Sequence, residues 1–243
     1  MRIRLDTQLV ARGLVPSREK AKRLILAGEV RVNGQVASKP SDFVEEDAKL
    51  EIAAAERFVS RGGYKLEAAL DAFKVNCAGL ACVDIGASTG GFTDCLLQRG
   101  ARRVHAVDVG RGQLDWKLRQ NERVVVHDKL NARNITVNDI GEMVDLVTID
   151  VSFISLRKIL PAAVAVLKSG GTLIALIKPQ FEAGRKFVKK GGVVRDSQVH
   201  EQVKATITTY ATETFGMRLL GVLDSPLLGP AGNKEFLMGL TKP

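Results

Sequence analysis

The sequence predicts an α/β domain with a parallel sheet covered by helices on both faces, over residues 61–243. A small α+β module over 1–52 precedes it, and a linker at 53–60 joins the two. Three observations carry this reading. Short apolar runs alternate with helical segments from about residue 81 to residue 215, which is the pattern of a parallel sheet. A glycine-punctuated turn, Asp84-Ile-Gly-Ala-Ser-Thr-Gly-Gly91, ends the first of those runs and opens a helix. Ahead of them, two basic amphipathic segments lead into Val30-Arg-Val-Asn-Gly-Gln-Val36, where Asn33-Gly34 is a strong two-residue hairpin signal.

In the N-terminal module, Leu5, Leu9 and Val10 recur at helical spacing. After Gly13 and Pro16, Ser17 can cap a second helix over 18–27, which Gly28 stops. That helix shows Arg18, Lys20, Lys22 and Arg23 on one side and turns Ala21, Leu24 and Ile25 inward. In the larger domain a helix is predicted over 64–73. Strands follow at 81–85, 103–109, 123–127, 145–150 and 172–177, with a further pair near 218–223 and 235–241. The last pair lacks an intervening helix, so one strand should run antiparallel.

The chain has 243 residues, enough for two cores, and a formal net charge of +9. The positive charge gathers in two places: residues 1–39 hold nine Lys/Arg against three acids, and residues 178–195 hold six against one. Both fit a polyanionic partner, although a solvated surface would use the same residues. Cys77, Cys82 and Cys95 show no paired spacing, and His105, His127 and His200 form no ligand motif, so reduced thiols and no metal are expected. The N-terminus has no signal-like apolar stretch and no segment is long enough to span a bilayer, so a cytoplasmic location without membrane contact is expected.

The turn at 84–91 discriminates among ligands. A dinucleotide fingerprint needs glycine where Ser88 stands, and a phosphate-binding loop needs a lysine where Gly91 stands. S-adenosylmethionine, which has no phosphate, fits better. Asp84 with Gly86, Ala87, Ser88, Gly90 and Gly91 would frame its methionine part, and Asp108, ending the next strand, would accept the ribose hydroxyls. Two more strands end in polar groups, Asp150 and Lys178. Lysine is rarely buried unless paired, so Lys178 is either salt-bridged to Asp150 or chemically active.

Arg4-Leu-Asp6, Ser17-Arg-Glu-Lys-Ala21, Ile25, Gly28 and Val30-Arg-Val-Asn-Gly34 resemble the S-four RNA-binding domain. The resemblance implies phosphate contacts, for which Arg4, Arg18, Lys22, Arg23 and Arg31 are the candidates. Ser60-Arg-Gly-Gly-Tyr-Lys65, the 84–94 segment, Asp150-Val-Ser-Phe-Ile-Ser155, Lys178-Pro-Gln-Phe-Glu182 and Gly232-Asn-Lys-Glu235-Phe together resemble the TlyA family. That family joins an S-four domain to a Rossmann-like, seven-stranded methyltransferase domain similar to FtsJ.

The resemblance implies S-adenosylmethionine-dependent 2′-O-methylation of cytidine in ribosomal RNA, the large-subunit RNA being favoured by the short ends of the chain and the small-subunit RNA standing as the alternative. It implies no obligate protein partner. Its Lys-Asp-Lys-Glu tetrad maps onto Lys65, Asp150, Lys178 and Glu235, with Lys178 the general base, Asp150 its orienting partner, and Lys65 and Glu235 positioning the ribose. Lys178 must be neutral to act, which a nearby Lys65 charge and partial desolvation would favour. An adenine contact falls to Asp128 or Asn131, either of which could instead cap a turn. The family also carries the label haemolysin, and a non-catalytic ribosome-assembly factor would share the basic patches; neither accounts for the tetrad.

Overall fold

The computed structural model describes residues 2–52, 57–189 and 191–243, and the chain divides into two compact units, 1–57 and 58–243. The first four positions of the expected linker, 53–56, lie outside the described residues.

The first unit runs β1 (Arg2–Arg4), α1 (Leu5–Ala11), α2 (Arg18–Leu26), β2 (Val30–Val32), β3 (Gln35–Val36), β4 (Phe43–Glu45) and β5 (Leu50–Ile52). Ser17 Oγ accepts the Lys20 amide at 3.3 Å and so starts α2. Asn33 and Gly34 both have positive φ, which turns β2 back onto β3 with Arg31 opposite Val36. Leu5, Leu9, Ala21, Ile25 and Val30 are wholly buried in the centre of this unit. Two features lie beyond the expected helix-helix-hairpin: β5 adds to β2, and β1 pairs with β4. Segments of three residues carry too little periodicity to be read from sequence.

The second unit contains α3 (Gly62–Ala72), β6 (Ala81–Ile85), α4 (Gly91–Gln98), β7 (Arg103–Asp108), α5 (Trp116–Arg119), β8 (Val124–Asp128), α6 (Val137–Ile140) and β9 (Val144–Ile149). It continues through α7 (Leu160–Val166), β10 (Leu167–Ile177), α8 (Pro179–Glu182), α9 (Ser197–Phe215), β11 (Arg218–Asp224) and β12 (Phe236–Thr241). Seven strands form one sheet in the order β11-β12-β10-β9-β6-β7-β8. The pairs β6 to β7, β7 to β8, β6 to β9 and β9 to β10 are parallel, and β12 runs antiparallel to both its neighbours. One strand of the final pair is reversed, as expected, and it is β12. Apolar side chains fill both faces, with Val83, Ile85, Val147 and Ile149 on one and Cys82, Leu146, Ile174 and Leu237 on the other.

β10 begins five residues before the expected start, because Ser169-Gly170-Gly171 does not end the strand: its pairing with β9 shifts register between Leu167 and Thr172. Residues 58–60 do not behave as a free connector either. Phe58 is 1% exposed, its ring lies edge-on to Tyr64, and the Val59 amide donates to Asp94 Oδ2 at 2.9 Å.

From β6 the chain fills one side of the sheet with β7 and β8, then returns to lay β9 on the other side. Open α/β sheets form a crevice at such a reversal, beyond the carboxyl ends of the strands. Here that point lies between β6 and β9, where Ile85 stands opposite Ile149 and the Asp150 amide donates to the Ile85 carbonyl at 2.9 Å. The glycine turn and Asp150 are neighbours for this reason.

Candidate active site

The turn after β6 depends on backbone that only glycine supplies. Gly86 has φ +83°, and a Cβ there would lie 2.5 Å from the Asp150 carbonyl oxygen; Gly90 has φ +99°, and a Cβ would strike Leu118 and Leu114. Gly90 is also the N-cap of α4, so the first amides of that helix face the turn. Ser88 adopts φ +48° and donates its amide to Asp108 Oδ2 at 2.9 Å. Asp108 Oδ1 accepts the Gly110 amide at 2.7 Å. Each Asp108 oxygen therefore keeps one acceptor site, enough for a pair of ribose hydroxyls.

Asp84 corrects the sequence reading. The alternation of β6 turns it inward, where it is wholly buried and accepts hydroxyl hydrogens from Thr93 at 2.7 Å and Thr148 at 3.2 Å. It ties β6 to α4 and β9 and does not line the cavity beside the turn. Burial pushes its carboxyl up to about 7, with the Thr93 hydroxyl opposing and Asp150 adding to the rise.

A cavity of about 280 Å³ opens against this turn. Gly86, Ala87, Ser88 and Gly91 form one wall, and Lys65, Asp150 and Lys178 also line it. Lys65 comes from α3, Asp150 from the end of β9 and Lys178 from the junction of β10 and α8. Glu235, just before β12, joins them through Lys65: Lys65 Nζ donates to Glu235 Oε2 at 2.6 Å, with both side chains almost entirely buried. Lys178 Nζ lies 2.6 Å from Asp150 Oδ1 in a charge contact outside hydrogen-bond geometry, and donates its hydrogen bond to Ser152 Oγ at 3.0 Å. Four residues spread over 171 positions thus make two cation–carboxylate pairs around one opening.

Asp128 and Asn131 lie at the end of β8, apart from the residues lining the cavity, and both do local work. Asp128 takes a forked pair of bonds from Arg119 at 2.8 and 2.9 Å, which holds its carboxyl below the usual range. Asn131 Oδ1 accepts the Arg133 amide at 3.2 Å and caps the short turn at 132–134. In the first unit, Arg4 and Arg18 both hold the buried Asp6 carboxylate, which lies well below the usual range because of Arg4 first and Arg18 second. Lys22 pairs with Glu19 at 3.1 Å, while Arg23 and Arg31 are exposed, the latter donating to the Gly34 carbonyl. Arg18, Lys22, Arg23 and Arg31 thus remain reachable from solvent in whole or part, and Arg4 is half engaged in holding Asp6.

Two residues that line the opening, and one next to them in the chain, were not singled out from sequence. Ser152 holds Lys178, and Arg61 is an exposed cation on the rim. Phe153 follows Ser152 with φ +63° and is 91% exposed, its ring 5.1 Å from that of Phe181. An aromatic residue three positions after the polar strand end Asp150 was the available signal, but a left-handed backbone at phenylalanine has none. The thiols of Cys77, Cys82 and Cys95 are buried, and burial pushes Cys77 up to about 11, so none serves as a nucleophile.

Comparison with known proteins fits this geometry. The model of the FtsJ-like methyltransferase family matches residues 58–242, and that of the S4 domain matches residues 3–50. The chain is 48% identical over 241 residues to the 16S/23S rRNA (cytidine-2′-O)-methyltransferase TlyA of Mycobacterium tuberculosis, covering 98% of this chain and 90% of that one. A solved structure from Streptococcus thermophilus, described as a hemolysin, matches with TM-score 0.76 and 44% identity over 99% of this chain and 88% of the other. The methyltransferase NodS of Bradyrhizobium japonicum, solved with S-adenosyl-L-homocysteine, shares the fold at TM-score 0.53 and 15% identity, covering 73% and 86% of the two chains.

Proposed function

The chain belongs to the FtsJ-like methyltransferase family, and from that premise we propose that it methylates the ribose 2′-hydroxyl of a cytidine in ribosomal RNA, with S-adenosylmethionine as donor. One observation carries the reading: Lys65, Asp150 and Lys178 line the same cavity as the glycine turn, so an acid–base set and a cofactor cradle share one space.

The residues present suit this cofactor. The tight backbone at Gly86 and Gly90 shapes a turn whose residues wall the cavity, the amides at the start of α4 suit its carboxylate, and Asp108 keeps acceptor sites for its ribose. When bound, the cofactor supplies an electrophilic methyl group on a sulfonium centre.

The protein must align the 2′-oxygen with that methyl group and remove one proton. Lys178, in its neutral form, takes the proton, and Asp150 beside it stabilises the ammonium that results. Ser152 accepts a hydrogen bond from the lysine at the strand end. Lys65 is held in place by Glu235 and points a donor toward the ribose, while the carboxylate keeps the net charge of that pair near zero. Arg61 offers a cation for a backbone phosphate, and Phe153 offers a stacking face for a base turned out of its helix. General-base assistance contributes about 10²–10⁴-fold, and alignment supplies the remainder. The exposed basic residues of the first unit grip phosphates elsewhere on the RNA.

The test is transfer of a tritiated methyl group to isolated small and large ribosomal subunits, followed by digestion to nucleosides. The reading expects label in 2′-O-methylcytidine, with the large subunit the better substrate. Label in a base, in protein or in neither subunit contradicts it.

A further inference from the structure

A second groove, about 570 Å³ and roughly twice the volume of the catalytic cavity, runs along α9 against residues 155–158. Arg157 and Lys158 are exposed at its rim, and neither has an ion-pair partner among the described residues. Inside lie the rings of Tyr210 and Phe187 and the half-buried carboxylate of Glu182. Each ring carries a cation: the Arg157 guanidinium is 5.1 Å from the Tyr210 centroid and the Lys186 ammonium 4.8 Å from that of Phe187.

The groove is joined to the active site. Ser155 Oγ and the Leu156 amide donate to the two oxygens of Glu182 at 2.6 and 2.7 Å, tying the segment after Asp150 to the helix that starts at Lys178. Phe153 and Phe181, in ring contact, belong to those same two segments.

This arrangement distinguishes the two ends of a ligand. A phosphate is attracted to the rim and repelled by Glu182. A planar base suits the rings, where aromatic and guanidinium surfaces both stack, and each Glu182 oxygen keeps an acceptor site for an exocyclic amine. We propose that this groove seats a nucleotide of the RNA strand flanking the methylated cytidine, base inward and phosphate on Arg157 and Lys158. The proposal rests on the RNA-methylating reading and adds a second contact for the substrate strand, one that favours an amino-bearing base over uridine.

Arg157→Glu and Lys158→Glu change exposed side chains only, so the fold should survive. Each is expected to raise KM for ribosomal RNA about tenfold and to make the dependence of log affinity on log salt shallower by about one, with S-adenosylmethionine affinity by calorimetry unchanged. Arg157→Lys should recover most of the loss. RNA carrying 6-thioguanosine, which keeps an exocyclic amine, irradiated on the wild-type protein, should cross-link to peptides containing Phe187 or Tyr210. Unchanged KM and salt slope in both reversals, or cross-links confined to other segments, overturn the proposal. If the wild-type protein transfers no methyl group to RNA, the catalytic reading fails on its own account. Filter binding of the same RNA then judges the groove: weakened binding by both reversals supports it, and wild-type affinity refutes it.

Discussion

Lys178 Nζ stands 2.6 Å from Asp150 Oδ1 yet gives its hydrogen bond to Ser152 Oγ at 3.0 Å. The carboxylate faces the amine without fixing the direction of its hydrogens. That distinguishes this pair from Lys65 and Glu235, which are hydrogen-bonded at 2.6 Å and buried. One lysine is locked, and the other can turn toward a substrate hydroxyl.

The locked pair should behave as a structural unit. Glu235→Ala strands the Lys65 ammonium in a buried site and is expected to cost about 3–5 kcal/mol in urea unfolding. Replacing both, as Lys65→Met with Glu235→Leu, should recover much of that stability while transfer stays abolished. Equal stability of the single variant and the wild type would contradict the buried pairing.

Gly86, in the turn, should be far more sensitive than Gly216, which ends α9. Gly86→Ala meets the rigid Asp150 carbonyl and is expected to cost about 2 kcal/mol or more, with loss of cofactor binding. Gly216→Ala, at φ +63° with open space around it, should cost only about 1 kcal/mol and leave binding intact. Thermal unfolding and calorimetry check both.

Asp84 gives stability a pH dependence. Its folded value, about 7, lies above its ordinary value of 3.8, so the folded state prefers the protonated form. That preference is harmless below about pH 4 and becomes a growing penalty as pH rises from there to about 7. Asp84→Asn removes the titration, so the stability difference between variant and wild type should move in the variant's favour between pH 5 and pH 8. A constant difference across that range would show that Asp84 ionises freely.

Much of this site was legible in the sequence, because strand ends are local features. The apolar runs ending in Asp150 and Lys178, and the glycines at 86 and 90, mark the sheet edge without any knowledge of the fold. The contact of Lys65 with Glu235 spans 170 positions and is made only by the insertion of β12 beside β10. The role of Asp84 was misassigned because a strand-ending acid can face the ligand or the core, and the neighbour that decides, Thr148, lies on β9. Phe153 depends on a backbone conformation that no residue pattern announces.

Removing residues 1–52 should weaken binding to ribosomal RNA at least tenfold while S-adenosylmethionine affinity stays within twofold, because the two units have separate cores. Undiminished RNA affinity would contradict the grip assigned to the exposed basic residues of α2 and β2.

The most direct measurement is single-turnover methyl transfer by Lys178→Ala on ribosomal subunits, beside calorimetry of S-adenosylmethionine binding. A general base at Lys178 predicts a rate lower by about 10²–10⁴-fold with cofactor affinity nearly intact. Transfer at the wild-type rate would remove Lys178 from the chemistry.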